Sequence, residues 1–138
     1  MIREINDITL VNQQLINLIA LAINPSKANV ALINAIQNNN EVCYTIEKNN
    51  KFLGIITIRE NDEICEITSI AVDMKCQKEG YGKQLIDYIK RDFKKIIAET
   101  DDEAVNFYRK QGFKIISLGE KYPGVIRYQC IFLNDLTR

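Results

Sequence analysis

Apolar and polar residues alternate along the middle of the chain in the manner of β-strands. Residues 41–47, EVCYTIE, alternate as a strand, and residues 52–59 return as a second strand after a polar hairpin loop at 48–51. Residues 66–72, EITSIAV, are rich in β-branched side chains, which favours a largely buried strand. These segments predict three neighbouring strands.

Helical spacing replaces this alternation after the third strand. From Gly82 onward charged residues separate a set of apolar ones, namely Leu85, Ile86, Ile89 and Phe93. Side chains three and four residues apart share one face of a helix. The pattern therefore predicts an amphipathic helix that packs on the strands.

The segments before residue 41 predict one strand and two helices. Residues 1–5 favour a short strand, and residues 8–22 carry apolar side chains at helical spacing. Ser26 is the predicted N-cap of a second helix at 26–36. The asparagine run at 38–40 predicts a turn.

The last third of the chain predicts a strand at 95–99 and a helix at 102–111 that Gly112 ends. Two closing strands follow on either side of a loop, with the strands at 113–118 and 125–133 and the loop at 119–124. The predicted order is β-α-α-β-β-β-α-β-α-β-β. Such an order with 138 residues predicts a mixed α/β fold in one domain over residues 1–138.

The junction between the third strand and the amphipathic helix carries glycines at Gly80 and Gly82. The first amides of a helix have no partner within it and carry a partial positive charge. Glycine has no Cβ, so a phosphate can approach such an end closely. Lys78 and Lys83 add positive charge, while Glu79 is expected to point to solvent. The junction is either a phosphate site or only a tight turn.

Two motifs resemble the signatures of the GNAT N-acetyltransferase superfamily. Gln77-x-x-Gly80-x-Gly82 resembles the acyl-CoA pyrophosphate loop, and residues 104–113, AVNFYRKQGF, resemble the downstream A-x-x-F-Y-x-x-x-G-F signature. The resemblance extends over nearly the whole chain. It implies an acetyl-CoA-dependent N-acetyltransferase in which an amine attacks the thioester directly.

The resemblance also implies which residues bind acetyl-CoA. The backbone of the strand at 66–72 would hold the pantetheine arm through Ile70, Ala71 and Val72. The amides of the loop would hold the pyrophosphate, and they belong to Gln77, Lys78, Glu79, Gly80, Tyr81, Gly82 and Lys83.

Two residues are the predicted catalytic groups. Glu66 stands on the third strand where family members with a catalytic glutamate carry it, and apolar neighbours are expected to desolvate it and raise its pKa. An ordered water is the alternative base. Tyr108 matches the family tyrosine that faces the CoA sulfur, where it would donate a proton or a hydrogen bond. Asp101 stands where relatives often carry asparagine, and we expect it to act as a helix cap.

Composition narrows the function classes. Lys plus Arg and Asp plus Glu number 18 each, so no basic field favours a nucleic-acid partner. The chain has no histidine, which excludes Ser-His and Cys-His pairs and His-ligated metals. The four cysteines lack a C-x-x-C spacing, so we expect buried free thiols and no metal. The apolar segment at 15–23 is too short to span a membrane, and a cytoplasmic location is expected.

The acceptor is the least determined partner. A small amine or a peptide amine would bind to the first two helices and to the loop at 122–128, where Arg127 either holds a carboxylate or forms a surface ion pair. A non-catalytic acyl-CoA-binding regulatory module is the alternative function. The resemblance also implies a homodimer that would form through the last strands.

Overall fold

The computed structural model describes residues 1–38 and 40–134. It contains seven strands, whose bounds are β1 Ile2–Glu4, β2 Glu41–Lys48, β3 Lys51–Asn61, β4 Ile64–Val72, β5 Lys95–Asp101, β6 Lys114–Tyr122 and β7 Val125–Leu133. The four α-helices are α1 Gln13–Ile19, α2 Ala28–Gln37, α3 Tyr81–Lys90 and α4 Val105–Lys110. The predicted α/β class and element order are confirmed.

All seven strands form one mixed sheet in the order β1-β2-β3-β4-β5-β7-β6. Neighbours pair antiparallel except β4 and β5, which pair parallel. The parallel pairing follows from α3, because a helix that crosses over between two strands returns the chain in the same direction. No helix within the described residues is long and apolar enough to cross a membrane.

Each face of the sheet carries its own core. Helices α1 and α2 pack on one face, where Leu15 and Leu32 meet Ile55 of β3. Helices α3 and α4 pack on the other, where Leu85 meets Ile56 of β3. Successive residues of a strand point to opposite faces, so Ile55 and Ile56 belong to different cores.

A β-bulge interrupts the pairing of β3 with β4. Thr57 pairs with Ser69 and Ile58 pairs with Ile67, which leaves Thr68 as an extra residue on β4. Such a bulge changes which face the following side chains meet. Cys65 and Ile67 lie in the core beneath α3, whereas Ala71 lies in the core beneath α1 and α2.

Three details differ from the sequence prediction. The helix expected at 8–22 is a short 3-10 helix followed by α1, because Val11 is extended and the Asn12 side chain accepts a hydrogen bond from the amide of Leu15 at 2.9 Å. Asn24, not Ser26, caps the 3-10 helix Pro25–Lys27 that precedes α2. Asn39, the middle residue of the predicted turn, lies outside the described residues.

The third difference concerns the loop expected at 119–124. Residues 119–122 belong to β6, and only Pro123 and Gly124 turn the chain, with Tyr122 paired to Val125. Gly124 has φ 77°, a conformation that tight turns require and that glycine adopts without strain. Most of the predicted loop is therefore strand, and β6 and β7 form a β-hairpin with a two-residue turn.

Candidate acyl-CoA and acceptor site

Strands β4 and β5 separate halfway along their length. Their pairing runs from Ile64 opposite Lys95 to Ile67 opposite Ala98 and ends there. Beyond this point β4 continues to Val72 with β3 as its partner, and β5 continues with β7. Alternate residues of the segment at 68–72 therefore direct backbone N–H and C=O groups toward a gap where a strand is missing. The predicted pantetheine residues Ile70, Ala71 and Val72 lie on this edge.

Residues 73–80, which include the 3-10 helix Met74–Cys76, connect the end of β4 to the N-terminus of α3. Gly80 is the N-cap with φ 90°, and no side chain caps the helix. The first internal hydrogen bond of α3 runs from the amide of Gln84 to the carbonyl of Gly80 at 3.0 Å. The amides of residues 81–83 precede this bond and point out of the helix end, where they can meet an anion.

The polar side chains around this helix end have different partners. Gln77 donates a hydrogen bond to the carbonyl of Val72 at 3.2 Å, which ties the loop to the end of β4. Lys78 and Glu79 are exposed, as expected for Glu79. Lys83 forms an ion pair of 2.6 Å with Asp87 one turn further along α3. Its charge is thus shared with a carboxylate.

Gly82 is close to the ring of Phe107. A Cβ at Gly82 would lie 3.0 Å from Phe107 Cε1 and 3.2 Å from Cζ. Contacts this short are rare, so a side chain at Gly82 would push the ring away. A Cβ at Gly80 would meet no atom within 4 Å. Of the two glycines, Gly80 supplies the left-handed conformation and Gly82 permits the contact between α3 and α4.

Tyr108 lies beneath the sheet among aromatic rings. It is 4% exposed, and its ring makes edge contacts with Phe107 and Phe113 at centroid distances of 5.3 and 5.4 Å. Burial raises the pKa of its phenol, and the neighbouring Cys130 adds to the effect. The side chain is therefore a neutral phenol that can donate a hydrogen bond at physiological pH.

Glu66 lies in a polar environment that the sequence did not indicate. Its side chain is 45% exposed and accepts a hydrogen bond from Arg59 Nη1 at 3.1 Å. Cys65 and Ile67, expected to desolvate it, lie in the core on the opposite face. The expected apolar enclosure is wrong, because adjacent strand residues point to opposite faces.

A narrow cleft of about 190 Å³ lies between α2 and the strands on the face that carries Arg59. Its lining includes Ile23, Asn34, Glu41 and Arg59, which we call the wall, and Thr57, Thr68 and Ser69, which we call the floor. The sequence analysis missed these residues. Thr57 inside the apolar run at 55–58 and the adjacent Thr68 and Ser69 were the available signals. A larger and more open depression of about 850 Å³ near Asp7 shares no lining residue with this cleft.

Asp101 acts on the backbone of the turn before α4. Its Oδ1 accepts hydrogen bonds from the amides of Glu103 at 3.0 Å and Ala104 at 3.2 Å. An asparagine carbonyl oxygen can accept the same bonds. The expected helix cap is therefore wrong in detail: Asp101 stabilises the turn between β5 and α4, whereas the N-cap residue of α4 is Ala104 and has no side-chain cap.

The hairpin at 122–128 presents side chains that already have partners. Arg127 forms an ion pair with Glu99 at 3.2 Å, and Tyr128 donates a hydrogen bond to Asp102 at 2.5 Å. The surface ion pair, rather than a free carboxylate-binding arginine, is thus present.

Cys43, Cys65, Cys76 and Cys130 are all free thiols. Within residues 1–38 and 40–134, no three His, Cys, Asp or Glu side chains cluster in a way that could hold a metal ion.

Comparison with known proteins agrees with the fold and with both motifs. The sequence profile of the Acetyltransferase (GNAT) family matches residues 12–113, which is more than half of the chain. The chain therefore belongs to the GNAT acetyltransferase family. No curated protein sequence matches it.

Solved structures with the same fold are distant in sequence. An aminoglycoside 6'-N-acetyltransferase complexed with coenzyme A is 16% identical, with a TM-score of 0.82 and 96% of each chain covered. A GNAT family acetyltransferase from Elizabethkingia anophelis with acetyl-CoA bound is 22% identical, with a TM-score of 0.74, and covers 96% of this chain and 97% of its own. The ribosomal-protein-S18-alanine N-acetyltransferase from Escherichia coli is 16% identical, with a TM-score of 0.77 and coverage of 96% and 94%.

Proposed function

We propose that this protein is an acetyl-CoA-dependent N-acetyltransferase that moves the acetyl group from the CoA thioester to a primary amine. The observation that carries the proposal is the unpaired β4 edge at 68–72, from which the loop at 73–80 leads to the N-terminus of α3, where no side chain caps the helix. The amides of an extended pantetheine arm can add to such an edge as a strand would. A pyrophosphate suits the helix end. CoA carries both groups in this order.

Family membership and structural neighbours support the same co-substrate. The matched profile includes both the glycine loop and the Phe107-Tyr108 helix. Two neighbours with TM-scores of 0.82 and 0.74 were crystallised with CoA or acetyl-CoA. Acetyl-CoA is a substrate of the proposed reaction, which uses no metal.

In the proposed reaction the amine nitrogen attacks the thioester carbonyl carbon. The C–N bond forms as the C–S bond breaks, and the sulfur leaves with the bonding electron pair. The nitrogen loses one proton and the thiolate gains one, which gives an amide and CoA. An alkylamine with a pKa near 10.4 is free base in about one molecule per few thousand at pH 7. A base that accepts the proton therefore raises the rate.

We assign Glu66 as this base, and we expect its half-exposed carboxylate to receive the proton directly or through one water. Glu66→Gln should lower kcat/KM at pH 7 by roughly 10²-fold or more. The loss should shrink at pH 9 to 10, because more of the amine is already neutral. Glu63→Gln, which changes an exposed carboxylate in the preceding turn, is the control. Equal kinetics for Glu66→Gln and wild type at every pH would make ordered water the base.

We assign Tyr108 as the group that meets the leaving sulfur. At its ordinary pKa near 10, full proton transfer from a phenol to a thiolate of a thiol near 8.5 is uphill by about 2 kcal/mol. Burial raises the pKa of Tyr108 and makes the transfer less favourable still. Tyr108 would therefore stabilise the thiolate by a hydrogen bond, while the proton comes from solvent.

The test of this role is Tyr108→Phe. We expect kcat to fall by roughly 10- to 100-fold with little change in acetyl-CoA affinity, because the ring packing is kept and one charge-assisted hydrogen bond is lost. Tyr88→Phe removes a phenol hydroxyl from α3 and serves as the control. An unchanged kcat in Tyr108→Phe would count against any role at the sulfur.

A non-catalytic acyl-CoA-binding module is the second candidate. The observation in its favour is the ion pair of Glu66 with Arg59, which engages the assigned base. Thermal shifts with acetyl-CoA, CoA, ATP and NAD test the shared binding step, since a ligand at 100 times its Kd adds nearly 3 kcal/mol of stability. Release of free CoA in the presence of an amine panel then separates enzyme from module. A shift with ATP or NAD but with neither CoA species would refute both candidates.

A further inference from the structure

The floor of the cleft is a chain of three hydroxyl groups. Thr57 Oγ1 lies 2.7 Å from Thr68 Oγ1 and 2.5 Å from Ser69 Oγ. Thr68 Oγ1 also lies 3.0 Å from the backbone carbonyl of Thr57. The bulge at Thr68 brings two consecutive hydroxyl side chains of β4 against one threonine of β3. Thr57 and Ser69 are only 3% and 8% exposed, so their hydroxyl groups belong to the protein interior.

We assign the hydrogen atoms of these three hydroxyl groups by counting donors and acceptors. A carbonyl only accepts, so Thr68 donates its single hydroxyl hydrogen to the carbonyl of Thr57. The bond between Thr57 and Thr68 then takes its hydrogen from Thr57, and the bond between Thr57 and Ser69 takes its hydrogen from Ser69. All three hydrogens are committed inside the protein. The floor therefore offers only lone pairs to a molecule in the cleft.

The charged residues of the wall also favour a ligand that donates hydrogen bonds. Glu41 has a side chain only 12% exposed, and it accepts hydrogen bonds from Asn38 at 2.5 Å and from Arg59 at 3.4 Å. Arg59 is shared with Glu66 at 3.1 Å. Two carboxylates thus surround one guanidinium, and this group carries a net negative charge. A cationic ligand gains from this charge, and an anionic one is repelled.

From these two features we infer that the cleft binds the amine end of the acceptor and excludes amines that carry a carboxylate on the adjacent carbon. An ammonium or amine supplies N–H donors to Ser69, Thr68 and Glu41. A carboxylate beside it would meet the lone pairs of the floor and the net negative charge of the wall, and the Arg59 guanidinium in the lining is already shared between Glu41 and Glu66. The inference rests on the proposed function. It names the acceptor class as small amines or amines next to a neutral amide, such as a peptide N-terminus, rather than free α-amino acids.

Three acceptors of similar size test this selectivity: leucinamide, 3-methylbutylamine and leucine. They share one side chain and differ in the group on the carbon next to nitrogen, which is an amide, a hydrogen or a carboxylate. We expect leucine to have a kcat/KM roughly tenfold or more below both others. The amine of 3-methylbutylamine is more basic than that of leucine, so basicity alone would predict the opposite order for this pair. Equal kcat/KM for leucine and leucinamide would overturn the inference.

Variants of the floor test the hydroxyl chain itself. Thr57→Val keeps the shape of the side chain but frees the hydrogen of Ser69, so the ratio of leucinamide to leucine should fall by several-fold. Ser69→Ala removes lone pairs, so kcat/KM for leucinamide should fall without a gain for leucine. Thr45→Val is the matched control: Thr45 is a fully buried threonine that lies outside the cleft and whose hydroxyl has no partner within the described residues. The control should keep the wild-type ratio, and an unchanged ratio in Thr57→Val would refute the hydrogen count.

Binding measurements separate this inference from the proposed function. Thermal shifts with CoA report whether wild type and each variant are folded and bind the co-substrate. Calorimetric titration of leucinamide and leucine into CoA-saturated protein reports selectivity even without turnover. A CoA shift combined with equally tight binding of both amines, or with binding of neither, overturns the acceptor inference alone. Loss of the CoA shift in folded wild-type protein overturns the proposed function.

Discussion

Gly82→Ala is the substitution whose outcome depends most directly on the contact between α3 and α4. Gly82 lies in the first turn of α3, where alanine would stabilise the helix by up to about 1 kcal/mol if nothing else changed. The added Cβ would lie 3.0 Å from Cε1 of Phe107 and 3.2 Å from its Cζ. Overpacking of this kind costs about 1–3 kcal/mol. We therefore expect a net loss of about 0–2 kcal/mol in the free energy of unfolding.

A double-mutant cycle with Phe107→Leu isolates the steric term. Leucine removes the ring atoms that a Cβ at Gly82 would meet, so alanine at Gly82 should be tolerated or stabilising in that background. The coupling free energy should reach about 1 kcal/mol in urea unfolding at constant m-value. Under the proposed function, acetyl-CoA affinity should also fall in Gly82→Ala and recover in the double variant, because the ring displaced by alanine borders the helix end.

Gly80→Ala is the control with the opposite mechanism. Its Cβ would meet no atom within 4 Å, but the residue has φ 90°. Alanine in this left-handed region costs about 1–2 kcal/mol, and the cost should be the same with Phe or Leu at position 107. If Gly82→Ala stabilises the protein equally in both backgrounds, the steric account of Gly82 is refuted.

Two further predictions concern the loops beside the gap. Asp101→Ala should lower the free energy of unfolding by about 1 kcal/mol and Asp101→Asn by less, because only asparagine keeps an oxygen for the two amides; urea unfolding of both variants checks this. Iodoacetamide at pH 8 should modify Cys76 first, though more slowly than a free cysteine, since burial and the nearby Glu79 raise the pKa of its thiol; the rate should increase with pH as the thiolate forms. Adducts at the three buried cysteines, whose pKa values burial raises to about 11–12, should appear in the mass spectrum only after unfolding; they are Cys43, Cys65 and Cys130.

The glycine loop and its helix were predictable because their signals are local. Left-handed glycine at Gly80 and apolar spacing after Gly82 depend on residues a few positions apart. The same holds for Asp101, whose partners are the amides two and three residues later. The reason for Gly82 was not local, because Phe107 lies 25 residues further along the chain. From the sequence, the two glycines indicated either a phosphate site or a tight turn, and the structure gives Gly82 a packing role that neither alternative included.

The ion-pair partner of Glu66 could not be predicted, since it depends on strand register. Arg59 and Glu66 are opposite each other across β3 and β4, which places a guanidinium where apolar neighbours were expected. That Glu66 points away from Cys65 and Ile67 follows from the local alternation of the strand, whereas its pairing with Arg59 does not. The 3-10 helix before α1 was missed for a related reason: the apolar spacing at 8–22 continues through a break that the Asn12 side chain creates.

Under the proposed function, the bulge at Thr68 determines how the acyl-CoA part and the acceptor part of the site meet. In a regular β4, Ser69 and Ala71 would share the face of Cys65 and Ile67, beneath α3. The extra residue instead turns Ala71 into the core beneath α1 and α2 and places Ser69 against Thr57 on the floor of the cleft. Thr68 is also the first β4 residue beyond the last pair with β5, Ile67 opposite Ala98. The hydroxyl floor therefore begins at the same residue as the free backbone edge, so an amine in the cleft and a thioester along that edge would converge there from opposite sides of one strand.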